Sequence, residues 1–451
     1  MASASPRPSH RRSLRTRRTL VVSAAAVAAA VGAGVLVMNA SANPTVDLYH
    51  QVLPAKDGWA ASGSGTTGGS KADAAHTFTV STRAQLVKAL GSATDTTPRI
   101  IKIKGTIDAN TNDSGKKLTC ADYASGTGYS LSAYLKAFDP STYGKKAPKG
   151  TQETARAAAA TKQKKNVVFR VPSNTTIVGV PGTKAGILGG SVLVQNVKNV
   201  VMRNLTFADT QDCFPQWDPT DGSSGEWNSN YDSVTLRGAT NVWADHNTFT
   251  DAPTFDKTEA THFGRKYQVH DGALDITNGS DLVTVERNQF LNHDKTMLIG
   301  SSDTDSTGKL RVTIHHNLWK GIVQRAPLAR IGQIHLYNNV YDTTTVNGYA
   351  PKYSLDSRAK AQVVAERNVW RIPAGAKVAK LLSGDGTGSV AGSGNLVNGK
   401  ATDLVAAYNA ANSKKLKTTV NWTPALTAGL QTTVTNLLTD LTGTTGAGTL
   451  S

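Results

Sequence analysis

The chain has 451 residues, with 49 Lys and Arg against 32 Asp and Glu and a formal net charge of +17. That length admits one large repetitive domain or a few ordinary ones, and the basic balance suits a polyanionic partner drawn in by long-range attraction. No zinc-finger, RRM-type or helix-turn-helix pattern is present, which argues against nucleic acid.

The first element is a targeting segment. Met1–Arg18 carries Arg7, Arg11, Arg12, Arg15, Arg17 and Arg18 and no acid, Leu20–Met38 is apolar, and Ala40-Ser41-Ala42 offers small residues for cleavage. That order predicts a signal peptide over residues 1–42 and a mature domain over 43–451. Arg17-Arg18-Thr19-Leu20 also resembles a twin-arginine signal. The alternative is an N-terminal membrane anchor, but no other stretch approaches the ~20 apolar residues that a span needs. Loss of the segment removes six positive charges and leaves +11 on the mature chain. The two cysteines, Cys120 and Cys213, form a candidate disulfide in an oxidising compartment and cannot make a structural zinc site by themselves.

Gly63–Gly69 reads as loop. Ser81–Leu90 is a short amphipathic helix with a Ser or Thr N-cap, suited to cover one end of a repetitive core before the strand Ile100–Ile103. Thr151–Lys165 is rich in Ala and Lys and predicts a solvated surface helix. The middle of the chain then repeats. Arg203-Asn204-Leu205-Thr206-Phe207 recurs as His246-Asn247-Thr248-Phe249, Arg287-Asn288-Gln289-Phe290, His316-Asn317-Leu318-Trp319, Asn338-Asn339-Val340-Tyr341 and Arg367-Asn368-Val369-Trp370. Each asparagine follows a short β-rich run such as Val200-Val201-Met202, and the smallest step is 22 residues. Self-similarity on this scale points to a solenoid of stacked coils. Short β-runs with Asn at one corner predict an all-β, single-stranded parallel β-helix, its asparagines laddered along the stack. An antiparallel sandwich with coincidental Asn-aromatic pairs is the competing architecture. Leu430–Leu441, apolar at irregular helical spacing within a Thr-rich tail, is the candidate cap for the far end.

Between the repeats lie residues suited to chemistry. Asp271 and Asp275 stand four apart, so on one extended strand they would point to the same side and could meet one cation. Asp232 lies in the preceding stretch, where a neighbouring coil could bring it alongside. Lys295 follows, and then Arg325 and Arg330 within Gln324-Arg325-Ala326-Pro327-Leu328-Ala329-Arg330. Two aspartates alone are more often a solvated surface pair. Acids on two coils followed by Lys and Arg on the next two, however, make an acid-to-base stripe along a solenoid face.

At these residues the chain resembles the polysaccharide lyase family of extracellular pectate lyases. Trp243-Ala244-Asp245-His246, Asp271-Gly272-Ala273-Leu274-Asp275, His293-Asp294-Lys295, the Arg325–Arg330 segment and His335-Leu336-Tyr337-Asn338-Asn339 carry the likeness, over roughly Ile100 to Asp342. The resemblance implies a right-handed parallel β-helix and calcium-dependent β-elimination on polygalacturonate, giving 4,5-unsaturated oligogalacturonides. It implies Asp232, Asp271 and Asp275 as Ca2+ ligands, Arg325 as the base that removes the C5 proton, and Lys295 and Arg330 as partners of the substrate carboxylates. It makes the Trp243–His246 motif structural. The chain departs from the family pattern at Leu328, where many relatives have Arg, and at Ala244, where a bulkier apolar residue is usual. An arginine base also requires neighbouring positive charge to favour its neutral form. The expectation is thus a secreted, monomeric enzyme without a nucleic-acid or membrane partner. Pectin lyase action on methyl-esterified substrate, hydrolysis by paired carboxyl groups and non-catalytic pectin binding are the alternatives.

Overall fold

The structure is a computed structural model in which residues 47–305, 309–344 and 350–450 are described. The targeting segment 1–42 lies outside them. Short strands fall into three long sheets. One has ten strands, from Thr77–Val80 to Ser389–Ala391; one has eight, from Val168–Arg170 to Leu382–Gly384; and one has ten, from Thr106–Asp108 to Lys400–Ala401. A single coil visits all three: Leu274–Thr277, then Asp281–Glu286, then Gln289–Leu291, before Leu298–Ile299 returns to the first of these beside its predecessor. Pairing between coils is parallel, as in Val283 with Val312 and Phe290 with Trp319. This is a parallel β-helix, as the repeat predicted.

The sequence builds a coil because its corners are encoded. Between the second and third strands the chain takes one left-handed residue (His246, Arg287, His316, Asn338 and Arg367, all with φ between 48° and 54°) followed by an asparagine. Asn288 Nδ2 donates to Ala244 O at 3.0 Å and to Asn317 Oδ1 at 3.0 Å, while Asn288 Oδ1 accepts from Asn247 N at 2.8 Å. The pattern continues through Asn317, Asn339 and Asn368 to Asn395, an extra rung. Each rung satisfies buried backbone groups that would otherwise be orphaned. Two residues on from each of the five repeat asparagines, Phe249, Phe290, Trp319, Tyr341 and Trp370 stack behind Phe207 with ring separations of 4.1–5.7 Å and interplanar angles of 6–16°. Such stacks add about 0.5–1.5 kcal/mol per pair beyond burial.

Asn204 does not belong to the ladder. Register pairs Arg203 with Asp245 and Thr206 with Thr248. Leu205 therefore occupies the ladder position, and its N–H donates to Asn247 Oδ1 at 3.2 Å. Asn204 holds the left-handed position before it, with φ 56°.

The N-terminal cap is the helix Arg83–Leu90. Thr82 is its N-cap, and Leu86, Ala89 and Leu90 are buried. At the far end the helix Leu404–Ala411 buries Leu404, Val405 and Tyr408 against the terminal strand Leu382–Gly384. The candidate cap Leu430–Leu441 is helical only over Leu437–Leu441, and it covers Leu318, Val340 and Val369 on the side of the coils. The helix Thr151–Val167 is more than a solvated surface element. Ala155, Arg156, Ala159, Gln163 and Val167 are buried on one face, and Arg156 pairs with Glu153 at 2.7 Å. It packs on the helix Cys120–Ala124, whose Cys120 is disulfide-bonded to Cys213. Among the described residues no helix is long and apolar enough to cross a membrane.

Candidate active site

The acidic and basic residues of the stripe gather along one edge of the eight-stranded sheet. Register pairs Thr235 with Asp275, and isolated bridges set Gly272 beside Lys295 and Lys295 beside Gln324. Successive coils thus bring Asp232, then Asp271 and Asp275, then Lys295, then Arg325 into one column. Asp271 and Asp275 do not share a strand, because the strand is Leu274–Thr277 and Asp271 lies in the segment entering it. The chain bends between them at Ala273, and their charges still meet. A side chain at Gly272 would meet Asp275 Oδ1 at 2.5 Å and Asp232 Oδ1 at 2.7 Å, so it would push both carboxylates out of place.

Asp232 Oδ1 accepts from Gly272 N at 2.9 Å and its Oδ2 from Thr235 Oγ1 at 2.7 Å. Asp275 Oδ1 accepts from Leu298 N at 2.9 Å. Burial and repulsion from Asp271 push Asp232 up to about 7 against those hydrogen bonds. Burial, with Asp232 and Asp271 as neighbours, raises Asp275 well above the usual carboxylate range. The trio is therefore strained by like charge. Lys295 answers part of it, with Nζ 3.5 Å from Asp271 Oδ1.

These oxygens fit calcium, a hard cation that takes six to eight oxygen ligands at about 2.3–2.6 Å and leaves places for water and substrate. The trio is looser than a closed metal site. Among the described residues, the group that brings three ligand atoms within 4.8 Å of one another is Asp57, Glu286 and His315.

Arg325 differs from its neighbours. Its φ is 59°, its Nε is buried without a hydrogen-bond partner, and no acid among the described residues lies within 4.0 Å of its guanidinium. Arg330, five residues further on at the end of the strand Leu328–Arg330, is engaged: Nε reaches Asp303 at 2.7 Å and Nη1 reaches Gly300 O at 3.2 Å. Leu328 is buried and pairs in register with Leu298 and Asp356. Asp356 is itself paired with Arg358, so a positive charge returns one coil further along.

Lys295 and Arg325 line a cleft of about 460 Å³ with Arg265, Lys266, Gln324 and Lys352. Sequence reasoning assigned no role to the last four. Arg265 and Lys266 arrive on a two-stranded hairpin with Thr261–His262, and Gln324 donates to Asp294 at 2.9 Å. A larger recess of about 580 Å³ beside the disulfide is lined by Tyr129, Phe214 and Tyr267 but by no charged side chain. Behind the cleft, Asp251, Asp209 and Asp256 overcome burial to push His270 up to about 10, while burial, His270 and Lys295 push His293 down to about 3. His293 Nε2 lies 3.1 Å from Asp251. The Trp243–His246 motif is remote from this column, on a ten-stranded sheet. There Asp245 pairs with Arg203 at 2.6 Å and Trp243 Nε1 donates to Glu286 at 2.6 Å.

A pectate lyase family model matches residues 141–449. A pectate lyase of Bacillus subtilis (strain 168) is 46% identical over 410 residues, covering 90% of this chain and 95% of the relative. Pectate lyase E of Dickeya dadantii (strain 3937) is 34% identical over 361 residues, 79% of this chain and 77% of the relative. Among solved structures, a pectate lyase bound to a hexasaccharide superposes with a TM-score of 0.84 at 45% identity, covering 90% of this chain and 100% of the other. On coil, column and kinship alike, the chain belongs to the pectate lyase family and is an enzyme of that class.

Proposed function

We propose that the chain is a secreted lyase that cleaves α-1,4-linked polygalacturonate by calcium-dependent β-elimination, releasing 4,5-unsaturated oligogalacturonides. The observation that carries this reading is Arg325, a guanidinium free of any acid partner among the described residues, in the same cleft as Lys295 and one coil beyond it. Arg325, in its neutral form, takes the C5 proton. The electron pair left behind forms the C4–C5 double bond as the C4–oxygen bond breaks, and the departing oxygen acquires a proton. Lys295 and Arg330 bind the substrate carboxylates and hold the charge that grows as the proton leaves. Asp232, Asp271 and Asp275 would hold the calcium, whose charge neutralises the carboxylate next to C5 and so makes that proton more acidic. Residues 1–42 direct export, and residues 43–451 form the catalytic domain, acting as a monomer.

The test is incubation with polygalacturonate, with and without a chelator, followed by ultraviolet absorbance of the unsaturated product. Absorbance that requires calcium supports the proposal. Reducing ends without absorbance would mean hydrolysis, and activity that survives chelation and prefers esterified substrate would mean pectin lyase action. Neither signal would leave a binding protein.

A further inference from the structure

A second polar row crosses the ten-stranded sheet that begins at Thr77–Val80. Register sets Arg203, Asp245, Glu286, His315 and Tyr337 in line over five successive coils. Arg203 and Asp245 satisfy each other. The next three do not. A strap over residues 54–61 crosses this sheet, held by Trp59 N to Thr313 Oγ1 at 2.9 Å and Ala60 N to Thr284 Oγ1 at 3.1 Å, and it lowers Asp57 onto the row. Asp57 Oδ1 then lies 3.2 Å from His315 Nε2, and Glu286 Oε2 lies 3.6 Å from the same nitrogen. Asp57, Glu286 and His315 are only 8%, 5% and 1% exposed. Yet Asp57 Oδ1, His315 Nε2 and the Tyr337 hydroxyl are buried without a well-formed hydrogen bond. Buried polar atoms are nearly always satisfied, so three orphans at one corner call for a missing partner.

We propose that Asp57, Glu286 and His315 form a second cation site, a structural site for a zinc-class divalent ion that ties the N-terminal strap to the coils. One imidazole nitrogen and two carboxylate oxygens are a zinc donor set. Bonds of about 2.0–2.1 Å in a tetrahedron set ligand atoms ~3.3 Å apart, and the separations of 3.2 Å and 3.6 Å bracket that spacing. Calcium, which wants six to eight oxygens, is ill served by a buried corner with a nitrogen ligand. The remaining atoms orient the ligands. His315 Nδ1 faces His316 Nδ1 at 2.8 Å, leaving Nε2 for the ion, and Glu286 Oε1 accepts from Trp243 at 2.6 Å, leaving Oε2. A fourth ligand has room beside Gly429. A methyl group there would come 3.4 Å from Asp57 Oδ1, 3.6 Å from Tyr337 Oη and 3.8 Å from His315 Cε1, so the space is that of a small molecule such as water.

The full chain, stripped with chelator and returned to calcium alone, is titrated with zinc and assayed by elemental analysis and thermal melting. One zinc per chain and a raised melting temperature are expected in the wild type and in Asp232→Asn, with both lost in Asp57→Asn and His315→Gln. Cobalt in place of zinc should give the intense visible bands of a tetrahedral centre in the wild type, abolished by added zinc. Absence of zinc uptake, absence of those bands, or an Asp57→Asn protein that binds as much zinc as wild type would each overturn the proposal. Absence of uptake would leave a proton-sharing cluster of His and carboxylates, and undiminished binding in Asp57→Asn would put the zinc elsewhere. The cobalt spectrum needs only the wild type, so the proposal stays testable even where a variant fails to fold.

Discussion

Arg325 is distinguished by what surrounds it rather than by its type. Arg330, Arg358 and Arg311 all pair with carboxylates, while the Nε of Arg325 is buried and unbonded. Replacing it with Ala should lower kcat by about 10²–10⁴-fold, the usual weight of a positioned proton acceptor. KM should change little, because Lys295 and Arg330 remain; initial rates of unsaturated-product formation across substrate concentrations measure both. Since a guanidinium gives up its proton only at high pH, wild-type turnover should climb from neutral into strongly alkaline solution. A flat profile would remove Arg325 as base.

Asp232 makes a separate prediction. Its folded-state value of about 7 lies above the ordinary 3.8, so the calcium-free folded protein binds an extra proton between those limits. Stability without calcium should therefore fall as pH rises from about 4 to about 7, and calcium should raise the melting temperature more at pH 8 than at pH 5. In Asp232→Asn that pH dependence of the calcium effect should weaken, with buried Asp275 retaining part of it.

At the scale of the coil, the ladder is a matter of satisfied backbone. Asn288→Ala would remove the donor to Ala244 O, Glu286 O and Asn317 Oδ1 and the acceptor for Asn247. With several buried partners orphaned, it should cost about 3 kcal/mol, whereas Asn204→Ala, outside the ladder, should cost about 1 kcal/mol. Denaturant midpoints compare the two, with activity per folded molecule unchanged in both. The ladder was legible because a corner repeated at every coil must reuse its residue. The misplaced rung was legible too: Asn stands three residues before Phe207 but two before Phe249, Phe290, Trp319, Tyr341 and Trp370. The absence of a shared strand for Asp271 and Asp275 was not legible, because an i, i+4 rule presumes an unbroken strand and the chain bends at Ala273 before Leu274–Thr277 begins. Arg265, Lys266 and Lys352 escaped notice because loops carry them to the cleft from outside the repeat, and no periodicity records where a loop tip lands. The helix Thr151–Val167 escaped for a related reason: its buried face is mostly alanine, with Arg156 and Gln163 among its members, so hydropathy alone did not reveal it.

For the whole molecule, a formal charge of +11 on residues 43–451 acting on a polyanion predicts a KM that rises with salt. Interactions of exposed charges fade beyond about 10 Å at 0.1 M ionic strength and about 3 Å at 1 M. KM for polygalacturonate should therefore climb several-fold over that range, while kcat, set inside the cleft, moves less. Rates at fixed calcium and varied sodium chloride provide the check.

The strap that carries Asp57 also meets the chain's other end. Gly58 N donates to Leu426 O at 3.0 Å, Ala428 N donates to Lys56 O at 3.0 Å, and Asp57 bridges Thr427. A solenoid ordinarily frays from its tips, since each coil leans only on its neighbours. Here the two tails are buttoned together across the flank of the coils they enclose, which turns an open stack into a closed loop of dependence. Loosening either tail frees the other, so cutting back residues 422–450 should speed amide hydrogen exchange in the strap, far from the cut in sequence. Because neither tail can leave alone, the stack should hold until it gives way along its whole length at once.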